Sequence, residues 1–216
     1  MLSVLFPLRP DTRTQHTLEH QGECTDYTLL YYNTLDSTNT HAKRLLQHNQ
    51  IYALTCIVTP NQTQGRGTRG RSWVSPAGAG WTFSLVQPNI RLNPHYTLAT
   101  GQALAETLST LYDITVKLKP VNDIYCNGCK LAGILTESVP DRSGLQPGLV
   151  SLITGIGINV QDVPRSLSPH DPERPGVQPV ALEQLMPPNA FAQVHFQAFI
   201  DAFLPCWLGY QQTLKF

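Results

Sequence analysis

Three arginines and three glycines alternate within one short stretch of the chain, a composition suited to binding an anion. The stretch, residues 62–76, reads Gln-Thr-Gln-Gly-Arg-Gly-Thr-Arg-Gly-Arg-Ser-Trp-Val-Ser-Pro, and we call it the Gly-Arg loop. Glycine lets the backbone bend and approach a ligand closely, because it has no Cβ. Arginine presents a rigid fork of N–H donors that fits carboxylate and phosphate oxygens. We predict a loop that folds over an anionic ligand; the simpler alternative is a flexible basic surface loop.

The glycines of this loop, Gly65, Gly67 and Gly70, also spell G-x-G-x-x-G. A dinucleotide site with that motif needs a helix to begin at the loop, so that its N-terminus meets the pyrophosphate. Here the loop continues into Ser-Trp-Val-Ser-Pro, which is not a helical sequence. No H-R-D or D-F-G motif follows, as a protein kinase would require. The glycine spacing therefore favours neither a dinucleotide-binding site nor a protein kinase.

A second pair of charged residues, Asp123 and Lys130, flanks a predicted tight turn. Asn127-Gly128 between two strand-like runs is a strong signal for a two-residue hairpin turn. The turn predicts four opposed pairs: Cys126 with Cys129, Tyr125 with Lys130, Ile124 with Leu131, and Asp123 with Ala132. Since faces alternate along a strand, Asp123 and Lys130 should share a face about 7–8 Å apart at Cα, with Gly133 on the opposite face. The alternative is a solvated ion pair that contributes less than about 1 kcal/mol.

Two further segments have the composition of ligand-contacting backbone. Ser37-Thr38-Asn39 begins a predicted helix, where capping is the simpler interpretation, although a helix N-terminus also offers free N–H donors. Gly155-Ile156-Gly157 lies near the end of a predicted strand. Glycines inside a strand indicate either close approach of a ligand or a bulge and tight packing.

Strands and helices in mixed order must position these segments. Strands are predicted over residues 27–33, 53–59, 81–87 and 149–160, in addition to the hairpin. Helices are predicted over 37–47 and 93–111, and a last one opens at Pro187 and is kinked or ended by Pro205. We therefore predict an α+β fold with a mixed, largely antiparallel sheet flanked by helices. Residues 1–25 are polar and predicted to be irregular.

The composition narrows the classes of function. The 216-residue chain has 15 basic and 15 acidic residues, which gives no electrostatic basis for non-specific nucleic-acid binding. No apolar run is long enough for a membrane span or a secretory signal, so we predict a cytoplasmic protein without membrane contact. Five cysteines, an odd number, argue against a disulfide framework. Cys126 and Cys129 have zinc-like spacing, but without a second such pair no metal site is predicted.

Taken in order, four segments of the chain resemble the motifs of biotin protein ligases. They are Asp36-Ser37-Thr38-Asn39, the Gly-Arg loop, Asn122-Asp123-Ile124-Tyr125 with Lys130-Leu131-Ala132-Gly133-Ile134-Leu135, and Gly155-Ile156-Gly157-Ile158-Asn159-Val160. The resemblance covers residues 26–212 and implies a fold related to class II aminoacyl-tRNA synthetases, with residues 26–216 as the catalytic domain. It implies that ATP, accompanied by Mg²⁺, activates biotin to biotinyl-5′-AMP. A lysine of a biotin carboxyl carrier protein then accepts the biotin.

The resemblance also assigns roles to individual residues. In catalysis, Lys130 and Arg66 would stabilise charge, and Asp123 would orient or deprotonate the acceptor lysine. Biotin would contact Ser37, Thr38, Asn39, Gln62, Gly65, Arg66, Gly67, Thr68, Lys130, Gly133, Gly155 and Gly157. ATP would contact Arg69, Arg71, Trp73, Asn122 and Asn159. Two alternatives stay open: a lipoate or other acyl ligase on the same fold, and a biotin-binding module with weak catalysis.

The chain departs from the family pattern in three ways. Thr68 stands where the family usually has an arginine that helps hold the adenylate, so leakage of the intermediate is expected unless Arg69 substitutes. Residues 119–123 read Lys-Pro-Val-Asn-Asp instead of Lys-Trp-Pro-Asn-Asp, which keeps the acid but alters its support. No helix-turn-helix module and no C-terminal SH3-like domain are predicted. We therefore expect no DNA binding. The sequence is also compatible with a homodimer.

Overall fold

Eight strands form one mixed sheet in the part of the chain that the structure describes. The structure, a computed structural model, describes residues 11–20, 23–140, 148–163 and 177–214. The strands are β1 (Thr12–His20), β2 (Glu23–Tyr31), β3 (Thr55–Thr59), β4 (Gly80–Arg91), β5 (Val116–Lys119), β6 (Asp123–Cys126), β7 (Cys129–Pro140) and β8 (Leu149–Asn159). Their spatial order is β1-β2-β3-β4-β8-β7-β6-β5, with β2 and β3 parallel and the other neighbours antiparallel. The predicted α+β fold with a mixed, largely antiparallel sheet is confirmed.

Helices cover both faces of this sheet. They are α1 (Thr38–Gln47), α2 (Tyr96–Tyr112), α3 (Leu182–Leu185), α4 (Pro188–Phe191) and α5 (Phe196–Gln212). Helix α1 packs on one face, where its Ala42 joins a small apolar cluster with Ile57, Val86 and Ile153. Helices α2 and α5 contact each other and pack on the other face. The central strand β3 is therefore buried along its whole length, as expected for a strand covered on both sides.

An aromatic cluster fixes α5 against β4. Trp81 and Phe83 of β4 contact Phe196, Phe199 and Phe203 of α5, and all five side chains are buried. The ring centroids of Trp81 and Phe199 are 5.1 Å apart, and those of Phe83 and Phe196 are 5.4 Å apart. Such pairs contribute about 0.5–1.5 kcal/mol beyond the apolar area that they bury. Strand β4 in turn pairs antiparallel with β8, whose glycine-rich end contributes to the site.

Strand β1 corrects the prediction that residues 1–25 are irregular. Thr12–His20 pair antiparallel with β2 over nine residues, while residues 1–10 lie outside the described residues. Where burial is described, the β1 side chains alternate between exposed and half-buried, since an edge strand keeps one face in solvent. A polar edge strand lacks the apolar alternation that reveals a strand, and its repeated threonines are the signal that favours one.

The end of the chain also differs from prediction. The single helix predicted to open at Pro187 is two helices: Pro188–Phe191 form the short α4, and α5 begins separately at Phe196. A turn between them changes the direction of the chain before α5 packs on the sheet. Pro205 does not end α5, which continues to Gln212. No helix in the described ranges is long and apolar enough to cross a membrane.

The aromatic cluster makes a prediction for stability. Replacing Phe199 with alanine removes a fully buried ring, so we expect Phe199→Ala to lower the free energy of unfolding by about 3–5 kcal/mol. Urea denaturation followed by circular dichroism measures this loss. Leu92→Ala is the control, because Leu92 is 59% exposed and its truncation should cost less than about 0.5 kcal/mol. Similar losses for the two variants would contradict the assignment of this core.

Candidate active site

One cleft brings together most of the predicted site residues. It lies beside the N-terminal end of α1. From the predicted set, its lining contains Ser37, Thr38, Asn39, Gln62, Arg66, Gly67, Thr68, Arg71, Trp73, Asn122, Asp123, Lys130, Gly133, Gly155 and Gly157. Three apolar residues that were not assigned roles, Ile134, Leu135 and Ile156, complete the lining. Gly65, Arg69 and Asn159 lie outside it.

The start of α1 is capped by the Gly-Arg loop. The side-chain oxygen Oε1 of Gln62 accepts a hydrogen bond from the Thr38 N–H at 2.8 Å and one from the Thr38 hydroxyl at 3.2 Å. Ser37 occupies the N-cap position, but its side chain makes no capping hydrogen bond. Capping, the simpler interpretation of Ser37, is therefore not what the structure shows. Ser37 is instead one of the residues that line the cleft.

Asn39 is held in one orientation by its neighbours. Its Nδ2 donates to the Leu135 carbonyl at 3.1 Å and to Glu137 Oε2 at 2.9 Å, while its Oδ1 accepts from the Ser84 hydroxyl at 2.6 Å. A Cβ on Gly155 would lie 2.4 Å from Asn39 Oδ1. Gly155 is therefore required for the amide to reach the sheet, which is the tight-packing interpretation of this glycine.

The Gly-Arg loop folds back on itself and carries an indole ring into the cleft. Gly65 accepts a hydrogen bond from the Trp73 N–H at 3.0 Å, and a Cβ at Gly65 would lie 2.2 Å from the Trp73 carbonyl oxygen. The Trp73 ring lies over two glycines of the sheet. A Cβ at Gly157 would approach it to 2.3 Å, and one at Gly133 to 3.0 Å. The bare backbone of β7 and β8 is therefore what the ring packs on.

Arg69 does not take the place of the arginine that Thr68 replaces. Arg69 is exposed, has a left-handed φ of 58°, and lies outside the lining of the cleft. Thr68 is bonded instead by Arg71, which donates to its carbonyl oxygen at 3.1 Å and to its hydroxyl at 2.8 Å. The substitution suggested for Arg69 in the sequence analysis is absent from this conformation of the loop.

Asn159 stabilises the backbone next to the cleft. It is buried, and its Nδ2 donates to the carbonyl oxygens of Lys130 and Val180 at 3.3 and 3.2 Å. These bonds tie the end of β8 to β7 and to the segment before α3. Asn159 and Gly65 therefore both stabilise the backbone around the cleft, and their predicted contacts with ATP and biotin stay predictions.

The hairpin forms as predicted at its turn but not along its strands. Asn127 and Gly128 both have positive φ angles, 50° and 79°, and Tyr125 opposes Lys130. Beyond that pair the register shifts: Ile124 opposes Ala132, and Asp123 opposes Gly133. The predicted pairs of Ile124 with Leu131 and Asp123 with Ala132 are therefore wrong.

The cause of the shift is a β-bulge at Leu131, the extra residue of β7. The backbone of Lys130 bonds on its other side to the segment before α3, with its N–H to the Gln178 carbonyl at 2.7 Å and its carbonyl to the Val180 N–H at 2.9 Å. Leu131 and Ala132 both enter the core. Gly133 consequently lies on the same face as Asp123, which corrects its predicted position.

Lys130 and Asp123 meet inside the cleft. Lys130 Nζ lies 2.5 Å from Asp123 Oδ1, and the two side chains are 11% and 20% exposed. Lys130 Nζ also lies 5.8 Å from the centroid of the Trp73 ring. The prediction that the two charged residues share a face is confirmed. Their shielding from water makes their charges act more strongly than a surface pair would.

Glu137 is a charged residue of the site that sequence reasoning missed. Its carboxylate binds Lys43 Nζ at 2.7 Å and Arg66 Nη1 at 3.1 Å, and it accepts from Asn39. Burial raises the pKa of Glu137, but hydrogen bonds from Lys43 and Asn39 and the charges of Lys43 and Arg66 outweigh that effect, so its pKa lies below the ordinary value. The signal was the period of two along β7, which puts Gly133, Leu135 and Glu137 on one face once the bulge is known.

Sequence comparison now identifies the family. The chain matches the biotin/lipoate A/B protein ligase family over residues 31–159. It is 36% identical over 164 residues to the bifunctional ligase/repressor BirA of Bacillus subtilis, a match that covers 74% of this chain and 45% of that protein. It is 31% identical over 183 residues to the biotin–[acetyl-CoA-carboxylase] ligase of Paracoccus denitrificans, covering 83% and 71%. The chain belongs to the biotin/lipoate A/B protein ligase family. It spans less than half the length of the Bacillus relative.

Solved structures of biotin protein ligases share the fold of this family member. The enzyme of Aquifex aeolicus in complex with biotin and ATP superposes with a TM-score of 0.64 at 24% identity, covering 86% of this chain and 71% of that one. The enzyme of Leishmania major in complex with biotinyl-5-AMP gives a TM-score of 0.60 at 20% identity, covering 86% and 79%. These neighbours confirm the predicted biotin protein ligase-like architecture.

The packing of Trp73 on Gly157 makes a prediction. The chain has three tryptophans, and the other two, Trp81 and Trp207, are fully buried. A methyl group in Gly157→Ala must displace the Trp73 ring, so we expect the fluorescence emission to shift to longer wavelength as the indole enters water. The same substitution made in a Trp73→Phe protein should leave the emission unchanged. An unshifted spectrum in folded Gly157→Ala would contradict this placement of Trp73.

Asp36 anchors the start of α1 beside the cleft. Arg44 donates to its two carboxylate oxygens at 2.7 and 2.8 Å, and the Ser37 N–H donates at 2.7 Å. The hydrogen bonds from Arg44 are the main cause that lowers the pKa of Asp36 to about 2, against the opposing effect of burial. A folded-state pKa below the unfolded value means that this stabilisation is present above about pH 4 and is lost as the pH falls towards 2.

We therefore expect Asp36→Asn to lower the thermal unfolding midpoint at neutral pH, because the variant loses the ion pair with Arg44. The difference from the parent protein should narrow as the pH falls from about 4 towards 2, where the parent carboxylate is protonated as well. Calorimetric scans across this pH range measure the effect. A difference that stays constant down to pH 2 would show that the charge of Asp36 is not what anchors the helix.

Proposed function

We propose that this chain uses ATP to activate biotin to biotinyl-5′-AMP and then transfers the biotin to a lysine of a biotin carboxyl carrier protein. One observation carries the proposal: Lys130 on the β-hairpin and Arg66 on the Gly-Arg loop line the same cleft, together with the start of α1. Family membership and biotin ligases among the relatives support the same activity. Mg²⁺ would enter with ATP as part of the substrate.

The first step requires two anions to approach each other. A carboxylate oxygen of biotin attacks the α-phosphorus of ATP, a new O–P bond forms, and the bond to pyrophosphate breaks. Lys130 and Arg66 would neutralise the carboxylate and the extra charge on the phosphorus. Each of them is paired with an acid in the unliganded cleft, Lys130 with Asp123 and Arg66 with Glu137. The ligand anions must therefore share or displace these partners.

The second step transfers the acyl group. The acceptor lysine must lose a proton before its nitrogen attacks the acyl carbon and AMP leaves. Asp123 would receive or orient that proton, because its carboxylate lines the cleft next to Lys130. Water must be kept away from the mixed anhydride meanwhile, and the Gly-Arg loop, which already carries Trp73 over the sheet, would provide that cover.

The chemistry of the cleft favours biotin over lipoate. One end presents the hydroxyls of Ser37 and Thr38 and the amide of Asn39, all buried. These groups can bond the polar ureido ring of biotin, whereas the dithiolane ring of lipoate offers no comparable partner. The apolar part, Ile134, Leu135 and Ile156, suits the aliphatic chain of either acid.

One observation favours the alternative of a biotin-binding module with weak catalysis. Thr68 is bonded by Arg71, and Arg69 lies outside the cleft, so Arg69 does not replace the arginine expected at position 68. Biotin-dependent exchange of pyrophosphate into ATP separates the alternatives. We expect exchange with biotin that excess lipoate does not inhibit. Calorimetric binding of biotin without exchange would favour the binding module, and exchange with lipoate would favour a lipoate ligase.

The role of Lys130 makes a prediction for this assay. Lys130→Ala removes the cation nearest Asp123, so we expect the rate of pyrophosphate exchange to fall by about a hundredfold or more while the protein stays folded. Lys117→Ala is the matched control, because Lys117 is exposed on the neighbouring strand β5 and should retain the parent rate. Unchanged exchange in Lys130→Ala would refute the proposed role of this lysine.

A further inference from the structure

Glu137 is the point at which three parts of the cleft meet, and neither proposed step uses it. Lys43 and Asn39 reach it from α1, and Arg66 reaches it from the Gly-Arg loop. Its side chain is 17% exposed, so its charge is largely shielded from water. A mostly buried carboxylate is retained without cost only when its lone pairs are well bonded, as they are here.

We infer that Glu137 is a positioning residue: it docks the Gly-Arg loop onto the sheet through Arg66, and together with the Leu135 carbonyl it holds the Asn39 amide in one orientation. The evidence for the docking is the ion pair between Arg66 and Glu137 in the unliganded protein. Its consequence for ligand binding rests on the proposed function, since Arg66 and Asn39 are the residues assigned to biotin and its activated carboxylate.

The docking follows from how the loop is held. Its backbone hydrogen bonds between Gly65 and Trp73 and between Gly67 and Arg71 are internal to the loop. They preserve its shape, while Trp73 packs on the sheet near one end of the loop and Gln62 bonds α1 at the other, so these contacts leave the tip that carries Arg66 to be attached. The ion pair of Arg66 with Glu137 does make that attachment, at 3.1 Å. A guanidinium has five N–H donors, so Arg66 can keep Glu137 and still bind an anion in the cleft.

The orientation of Asn39 follows from the acceptor character of a carboxylate. An ionised glutamate accepts hydrogen bonds and cannot donate them. The Glu137 carboxylate and the Leu135 carbonyl therefore both require the Nδ2 of Asn39 to face them, which leaves Oδ1 facing Ser84 at 2.6 Å. An amide in place of the carboxylate can donate as well as accept, so the Leu135 carbonyl alone would then specify the orientation of Asn39.

Limited trypsin digestion tests the docking directly, because the loop contains three native cleavage sites, Arg66, Arg69 and Arg71. We expect Glu137→Gln to be cut in the loop about tenfold faster than the parent protein, since opening the loop exposes these sites. Glu137→Asp should lie between the two, because it keeps the charge at a shorter reach. Glu106→Gln is the matched control, because Glu106 lies on α2 and accepts a hydrogen bond from Tyr210 of α5. Its loss should leave the rate of cleavage in the loop within about twofold of the parent rate.

A double substitution shows whether Glu137 acts through Arg66. Arg66→Gln removes the same attachment, so Arg66→Gln alone should also speed cleavage at Arg69 and Arg71 about tenfold, and adding Glu137→Gln should change that rate by less than about twofold. If Glu137→Gln does not fold, Arg66→Gln and Glu137→Asp decide the question. Loop cleavage in the Glu137 variants no faster than in Glu106→Gln, or additive effects of the two substitutions, would overturn the inference. So would acceleration that is equal at sites throughout the chain.

If the chain catalyses exchange, the positioning role also predicts a specific kinetic pattern. We expect Glu137→Gln to raise KM for biotin about tenfold, because the loop and Asn39 are assigned to biotin, and to lower kcat as well, because Arg66 loses its attachment beside the reacting groups. Glu137→Asp should recover part of the affinity. A lower kcat at unchanged KM would overturn the positioning role. Absence of exchange in the parent protein would count against the proposed function alone, since the digestion result does not depend on activity.

Discussion

A single extra residue in β7 is the constraint on which the charge arrangement of the cleft depends. Lys130 and Glu137 are seven positions apart, so a regular strand would place them on opposite faces of the sheet. The bulge at Leu131 reverses the alternation once. Lys130 can then meet Asp123 while Glu137, further along β7, meets Lys43 and Arg66 on the same face.

The bulge is itself fixed by distant parts of the chain. The backbone of Lys130 bonds to Gln178 and Val180, and Asn159 bonds the carbonyl oxygens of Lys130 and Val180. The two buried residues Leu131 and Ala132 then fill the core below. The bulge therefore has two consequences. It buries Leu131 and Ala132 on the face of the sheet covered by α2 and α5, and it places the charged residues in the cleft on the other face.

Small residues on the sheet complete the arrangement. Gly155 leaves room for the amide of Asn39, and Gly157 and Gly133 leave room for the indole of Trp73. With side chains at these positions, α1 and the Gly-Arg loop could not approach β7 and β8. The glycines therefore need no direct ligand contact to be essential, because they allow the polar and cationic groups to reach one cavity.

The sequence predicts the parts of this site better than their arrangement. The Asn127-Gly128 turn, the strand at 149–160 and the gathering of motif segments are local or pattern-based, and the structure bears them out. The bulge at Leu131 depends on bonds to residues nearly fifty positions away, which no local pattern contains. Strand β1 escaped prediction because an edge strand of polar residues lacks apolar alternation. Glu137 was missed because its face is determined by the bulge.

The central claim is that Lys130 and Arg66 act together on the junction between an acyl group and a phosphate. A crystal structure of the protein with a non-hydrolysable analogue of biotinyl-5′-AMP tests it most directly. The acyl-phosphate linkage should lie within hydrogen-bonding distance of both cations, with the ureido ring against Ser37, Thr38 and Asn39. An analogue bound outside the cleft, or bound in it with the linkage remote from Lys130 and Arg66, would contradict the claim.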